Sequence, residues 1–201
     1  MAEGFIGLST DNKELQKQRL PDFAEDIREL VGEGGGLPPV EAWHPKREGD
    51  IDILITRKGA WLYQGEPMER LSVVRLLSKI LRKDGDEYYL VSPAEKMKIQ
   101  VEDAPFLINM LDVEGEGRQQ KLHFSTMQGD CFTLSDLHPL MISYNESDEP
   151  SPYILVRHAL NGLISRQVYY QLVELLVLDE VSDSAEEKYG LWSDDSFFLF
   201  Q

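Results

Sequence analysis

The stretch Ile51-Asp52-Ile53-Leu54-Ile55-Thr56-Arg57, a glycine at Gly59, then Trp61-Leu62-Tyr63 and Arg70-Leu71-Ser72-Val73-Val74-Arg75-Leu76-Leu77 reads as strand, turn, strand and helix. β-branched and aromatic residues fill its first part, where a pleated backbone gives them room. Its last part spaces apolar residues three and four apart, the period of a helix face. About a hundred residues further on the same order recurs: Tyr153-Ile154-Leu155-Val156-Arg157, a turn at Asn161-Gly162, Leu163-Ile164, then Arg166-Gln167-Val168-Tyr169-Tyr170-Gln171-Leu172-Val173. In both, an arginine closes the first strand and another opens the helix. The expectation is a duplicated strand-strand-helix unit in an α+β protein, with a ligand cleft between the two related halves.

Working outward from the first copy, the apolar period predicts a helix over about residues 69 to 82, with Leu71, Val74, Leu77 and Leu81 on one face and Gly85 as its stop. Hairpin-like segments follow at 87 to 92, 96 to 102, 106 to 113, 119 to 126 and 131 to 144. Ser92-Pro93, Ala104-Pro105, Gly115-Glu116-Gly117 and Gln128-Gly129-Asp130 are the turn chemistry between them. A closing helix is expected at about 166 to 178. Residues 11 to 32 read as helical sequence broken at Pro21, with Phe23, Ile27, Leu30 and Val31 in phase, and Gly34 to Pro39 as a linker. The last stretch mixes acids with Tyr189, Leu191, Trp192 and Phe197-Phe198-Leu199-Phe200, and is either docked through its aromatics or a disordered arm. The expected division is therefore an N-terminal helical extension and linker (1–36), an N-terminal α+β domain (37–86), a C-terminal β-rich domain with a closing helix (87–178) and an acidic aromatic tail (179–201).

Composition bounds the rest. The chain has 201 residues, 42% hydrophobic and 28% charged, ordinary values for a soluble globular protein. Its apolar runs fall far short of the roughly 18 residues of a membrane span, and the N-terminus lacks the pattern of a secretory signal, so the expected location is cytoplasmic. A single cysteine, Cys131, allows no internal disulfide and no CxxC site. Of the net charge of −16, residues 1–36 carry eight acids against four bases and residues 178–201 seven against one. Nucleic acid is a poor partner for such a surface, because affinity there comes from Lys and Arg neutralising phosphates.

The blocks Gly36-Leu37-Pro38-Pro39-Val40-Glu41-Ala42-Trp43-His44-Pro45, Gly49-Asp50-Ile51-Asp52-Ile53 and Gly59-Ala60-Trp61-Leu62-Tyr63-Gln64-Gly65-Glu66-Pro67 resemble the proteobacterial family called domain of unknown function 1285. Tyr89-Leu90-Val91-Ser92-Pro93-Ala94-Glu95-Lys96 and Val101-Glu102-Asp103-Ala104-Pro105-Phe106 are similar to the same family, and the likeness spans about residues 36 to 178. The resemblance implies two domains with an internal duplication and a C-terminal half like a β-rich roll or a pleckstrin-homology barrel. It also implies a nucleotide-type ligand at the domain interface and a role in signal transduction. It brings no catalytic residues with it.

The candidate ligand-binding residues are Trp43, Asp50, Asp52, Arg57, Trp61, Arg70, Lys96, Arg157 and Arg166. Asp50 and Asp52 alternate on one strand and so share a face, where they could accept ribose hydroxyls, hold a metal, or simply pair with arginines. Arg57 with Arg157 and Arg70 with Arg166 recur at equivalent places, and guanidinium groups offer forked donors to an anion. A cation at a helix N-terminus works against the helix dipole unless an anion sits there. Ion pairs with local carboxylates are the competing fate of each, as for Lys96. Trp43, Trp61 and Tyr63 would stack on a base or belong to the core. The four histidines show no HxH or HExxH spacing, and no P-loop, GxSxG or GxGxxG is present. The sequence therefore points to a ligand-binding or signalling protein that takes a small anionic, nucleotide-based molecule, with no cofactor or metal specified. The alternatives are a protein-interaction adaptor using the pleckstrin-like half, and a nucleotide-processing enzyme using Asp50 and Asp52.

Overall fold

The computed structural model describes residues 27–28, 36–144, 147, 149–178 and 188–200. Most of the expected N-terminal helix lies outside them, although residues 27–28 are helical and Ile27 is fully buried. The chain divides into two compact units, one of residues 1–53 with 68–100 and one of residues 54–67 with 101–201. Among the described residues strands dominate and two α-helices are described over their whole length, which is α+β in character.

In the first unit, β1 (Arg47–Ile55), β4 (Leu81–Asp84), β5 (Glu87–Val91) and β6 (Glu95–Val101) lie side by side in the order β1, β6, β5, β4. Burial along β1 alternates, with Ile51 and Ile53 inside and Asp50 and Asp52 exposed, the period of a sheet with one face on the core. Helix α1 (Leu71–Ser78) is shorter than its periodicity predicts. It buries Val74 and Leu77 but leaves Leu71 exposed. Leu81 and Arg82 leave the helix to pair with Leu90 and Tyr89 across β4 and β5, and Gly85 at φ 62° serves the two-residue turn of that hairpin rather than a helix stop. Cross-strand pairing of a buried leucine thus overrides a continuing helical period. A 3₁₀ turn at Val40–Ala42 is held to β4 by Arg82, which donates from Nη1 to the carbonyls of Val40 (3.0 Å) and Trp43 (2.8 Å).

The second unit contains the β2 (Trp61–Tyr63) and β3 (Glu66–Pro67) hairpin and a six-stranded sheet. That sheet is built from β7 (Phe106–Glu114), β8 (Lys121–Thr126), β9 (Cys131–Thr133), β10 (Leu140–Tyr144), β11 (Pro150–Arg157) and β12 (Leu160–Ile164), in the order β10, β11, β12, β7, β8, β9. All neighbours are antiparallel except β12 and β7, which run parallel with Gly162, Leu163 and Ile164 opposite Phe106, Leu107 and Ile108. Asn161-Gly162, expected as a turn, lies inside β12; the turn falls earlier, at His158 with φ 48°. Gly162 is there because the sheet is close-packed above it. A Cβ at this position would come within 2.9 Å of Ile108 Cγ1 and 3.0 Å of Val156 Cγ2.

Helix α2 (Arg166–Glu174) ends before the predicted 178, since Val177–Leu178 becomes β13. Its buried face, Val168 and Leu172, joins Ile108, Leu122, Phe124, Leu134, Ile154 and Ile164 in one core cluster. From residue 188 the tail folds as an antiparallel hairpin, β14 (Tyr189–Ser193) and β15 (Ser196–Leu199), turned by Asp194 and Asp195, both at positive φ. Leu191 enters the same core, and Phe198 and Phe200 pack against it. The buried Ser193 Oγ donates to Leu134 O (2.9 Å) and accepts from Leu122 N (3.2 Å), so the hairpin is fastened by polar as well as apolar contacts.

Leu191→Ala should therefore lower stability by about 2–5 kcal/mol, the range for truncating a fully buried leucine. Urea unfolding reads this as a fall in midpoint at unchanged slope. A midpoint shifted by less than about 0.5 kcal/mol equivalent would mean that the terminal hairpin contributes nothing to the core.

Candidate functional site

Two of the nine residues singled out from the sequence line one groove, and both belong to the second unit. Arg57 comes from the turn after β1 and Arg166 is the first residue of α2. Between them the groove is floored by Leu107 of β7 and Leu163 and Ile164 of β12, and walled by Pro150 to Pro152 of β11 and by Tyr169 and Tyr170. Its volume is about 770 Å³, within the range of small-molecule sites.

Local chemistry sets each cation. The Arg57 turn closes through Thr56 N to Ala60 O (2.9 Å) and Gly59 N to Thr56 O (2.9 Å), and the Thr56 hydroxyl accepts from Ala60 N at 3.1 Å. Gly59 sits at φ 78°, and a Cβ on it would stand 2.8 Å from Leu107 Cβ. Only glycine combines that backbone with that approach. Arg57 Nη2 donates to Ser151 Oγ (2.8 Å) and Nη1 lies 2.9 Å from Asp103 Oδ2. Asp103 also accepts from the Tyr153 hydroxyl at 2.8 Å. Burial, and then that bond to a carboxylate, pushes the Tyr153 phenol up from its ordinary value.

At the other wall, Ser165 N donates to Ile108 O (2.9 Å), continuing the β12–β7 pairing by one bond. The Ser165 side chain then caps α2 by accepting from Val168 N. The next residue, Arg166, is exposed and sits at a helix start. Its Nε donates to Tyr170 Oη at 3.2 Å, one turn along the helix. Tyr169 meets Tyr170 edge to face at 5.9 Å and leans on Phe200 at 5.7 Å, so the aromatic wall is braced by the terminal hairpin.

The remaining candidates are placed elsewhere. Arg157 has only 9% of its side chain exposed; it pairs with Asp130 and its guanidinium stacks on Phe106 at 4.6 Å. Burial pulls that guanidinium below its ordinary value, and Asp130 works against the loss. Asp130 is itself fixed by the Thr126 hydroxyl and so belongs to a structural lock. Trp61 is buried, 3% exposed.

Trp43, Asp50, Asp52, Arg70 and Lys96 all belong to the first unit. Trp43 serves Arg82 through its carbonyl, and Arg70 is the exposed N-cap of α1. Lys96 lies 3.3 Å from Asp84 Oδ2, 3.4 Å from Glu48 Oε2 and 4.0 Å above the Tyr89 ring. Burial alone would raise the Asp84 carboxyl, but the bonds from Arg82 and Lys96 outweigh it and hold the group below its ordinary value. Asp50 and Asp52 face solvent, and no group of three His, Cys, Asp or Glu able to hold a metal occurs among the described residues.

Lys58, Ser151, Ser165, Tyr169 and Tyr170 were not singled out from the sequence. Part of the signal was present: Lys58 adjoins Arg57, Ser165 is an N-cap residue type directly before a helical run, and Tyr169 and Tyr170 fall three and four residues after Arg166.

Fold and site together define an α+β chain whose second unit carries a cationic, aromatic groove between a sheet and the start of a helix. The N-terminal domain description of domain of unknown function DUF1285 matches residues 38–104, and its C-terminal domain description matches residues 105–200. The chain belongs to the DUF1285 family. It is similar to a solved DUF1285 family protein from Silicibacter pomeroyi DSS-3, with 40% identity, 90% of this chain and 93% of that one covered, and a TM-score of 0.78. A second solved DUF1285 family protein, from Shewanella baltica OS155, shares 30% identity over 61% of this chain and 90% of its own, with a TM-score of 0.48. Among curated proteins, none matches.

The two arginines at equivalent sequence positions should behave differently when truncated. Arg157→Ala leaves Asp130 largely buried without its partner and should cost about 3–5 kcal/mol in urea unfolding. Arg57→Ala removes a side chain 55% exposed and should cost at most about 1 kcal/mol. Equal costs would contradict the assignment of one to the fold and the other to the groove.

Proposed function

We propose that this protein binds a small anionic ligand in the groove of its second unit, with Arg57, Lys58 and Arg166 supplying the positive charge and Tyr169 and Tyr170 an aromatic wall. The observation that carries this is the convergence of three cations, contributed by a strand-following turn and a helix start, on a floor of Leu107, Leu163 and Ile164. An arginine at the start of α2 opposes the helix dipole, and an anion beside it would satisfy both the side chain and the first free N–H groups. The nucleotide-type ligand implied by the family resemblance is one kind of anion with an aromatic body. The expectation from sequence put the ligand in a cleft between the two halves; the reading proposed here puts it in the second unit. A sensing role in the cytoplasm, in which ligand is read out rather than turned over, belongs to the same reading. So does duplication, supported by the matching order of β1, β2 and α1 with β11, β12 and α2.

A second reading, a protein-interaction adaptor built on the pleckstrin-like half, is favoured by one observation. Val177 and Leu178 of β13, Tyr189 of β14 and Leu199 of β15 are each more than 40% exposed on the terminal three-stranded sheet, with Leu178 opposite Tyr189 on one face and Val177 and Leu199 flanking Gly190 on the other.

The ligand reading is tested by thermal shift of the full chain with AMP, benzoate and inorganic phosphate. A probe at a hundred times its Kd should stabilise the protein by about 2.7 kcal/mol. The shift should vanish in an Arg57→Ala, Arg166→Ala double variant and persist in Arg70→Ala and Lys96→Ala. A shift of the same size in the double variant would sink the groove as the site.

A further inference from the structure

The aromatic wall of the groove is supported from outside the helix that carries it. Tyr169 follows the buried Val168 on α2, packs partly buried against the core cluster and also lines the groove. Among the described residues its ring meets two others: Tyr170, edge to face at 5.9 Å, and Phe200, tilted by 33° at 5.7 Å. Tyr170 is its neighbour in the same helix and is 54% exposed, so it offers no support from elsewhere in the fold. Of the two rings, Phe200 is the one brought in by a different element.

Phe200 has a fixed place of its own. Its N–H donates to Tyr189 O at 2.9 Å, which carries the β14–β15 pairing one residue past Leu199. Phe198 stands opposite the fully buried Leu191, and alternation along the strand puts Phe200 on the same side; both phenylalanines pack against the core cluster. They differ in what they touch, since Phe198 has no ring contact with Tyr169 among the described residues. Phe200 itself does not line the groove, and no cation–ring contact joins it to Arg57, Lys58 or Arg166 among the described residues.

A long side chain on a helix chooses between two χ1 rotamers. One lodged against a fixed ring has given up that choice before a ligand arrives, so a ligand that lies on it meets a surface already in place and the ordering cost of binding falls. That gain goes to whatever part of the ligand rests on the Tyr169 ring, independently of the charged head that the cations receive.

We infer that Phe200 is a positioning residue for the groove: it holds Tyr169 for the apolar or aromatic body of a bound anion, whether the head is a phosphate or a carboxylate, and so makes the terminal hairpin part of the construction of the site. This rests on the ligand reading above and adds the element that shapes its wall.

The test is calorimetric titration of the full chain with phenyl phosphate and benzoate, which carry a ring, and with inorganic phosphate and acetate, which carry the same heads without one. Phe200→Ala should weaken both ring-bearing probes roughly three- to tenfold, the scale of ordering one side chain, and leave the two bare anions unchanged. Phe200→Tyr keeps the ring and should bind as the wild type does. Phe198→Ala, which loosens the same hairpin from the core, should leave the affinities unchanged, and in a Tyr169→Ala background Phe200→Ala should cause no further loss. A melting transition above the titration temperature shows each variant folded; if Phe200→Ala lacks one, Phe200→Leu takes its place, with a loss of the same sign. The positioning role is overturned, and the groove survives as an anion site, if Phe200→Ala changes nothing, if Phe198→Ala costs as much, if the bare anions weaken in parallel, or if the loss persists in full without Tyr169. If none of the four probes binds, or if binding is indifferent to the Arg57→Ala, Arg166→Ala double variant, the ligand reading falls and this inference falls with it.

Discussion

The parallel pairing of β12 with β7, extended by the bond from Ser165 N to Ile108 O, is the constraint from which the second unit takes its form. Parallel neighbours cannot be joined by a tight turn, so the chain must travel through β8 to β11 before β12 can come to lie beside β7. That journey surrounds both strands with antiparallel partners. It also fixes where α2 begins, since the residue making the last ladder bond is the one that caps the helix. The side chains of Arg166, Tyr169 and Tyr170 are thereby referred to the same strand, β7, whose Leu107 floors the groove and meets the Gly59 turn. Replacing Gly162 or Gly59 would disturb the groove from beneath, by pushing on Ile108 in one case and Leu107 in the other.

Arginine is used here for three different purposes, and burial separates them. Arg82 and Arg157 are desolvated, and each is held by a carboxylate together with carbonyl or aromatic partners, which is what a buried guanidinium needs to be tolerated. Arg57 and Arg166 are exposed, so their ties to Asp103 and Tyr170 contribute little to stability but restrict where the guanidinium points. An exposed side chain held in place without being buried has already lost part of the rotamer freedom that ligand binding would otherwise take from it. Arg70 has no such restraint from a side-chain cap, and its place at the start of α1 resembles that of Arg166 only in sequence.

Much of the architecture was legible before the structure. Turn chemistry and period-two alternation located β2, β5, β6, β7 and β8 to within two residues, because periodicity and turn chemistry are local properties. Local reading failed where pairing decided the outcome. Leu81 continues the helical phase of Val74 and Leu77, yet its partner Leu90 draws it into β4. Asn161-Gly162 has turn composition, yet the glycine is spent on close approach to Ile108. Asp194-Asp195, two of the acids counted in the tail, is the two-residue turn of the hairpin that carries Leu191 into the core. Of the proposed groove, Arg57 and Arg166 were singled out from the repeat pattern, but nothing in sequence spacing distinguishes Arg157, whose partner Asp130 lies 27 residues away, from an exposed arginine.

The total charge and the local charge of this protein act over different distances. At physiological ionic strength fields fade over about 8 Å, so the potential at Arg166 is set by the charges close to it rather than by the total of −16. Near the groove, Asp103 pairs with the Arg57 guanidinium and Glu102 accepts from the Arg57 backbone N–H, while Lys58 and Arg166 line the same groove. On the proposed ligand reading, cations that act only at short range inside a strongly negative chain favour a ligand small enough to lie within that range. An extended polyanion would reach past the groove and meet the net negative charge of the rest of the chain.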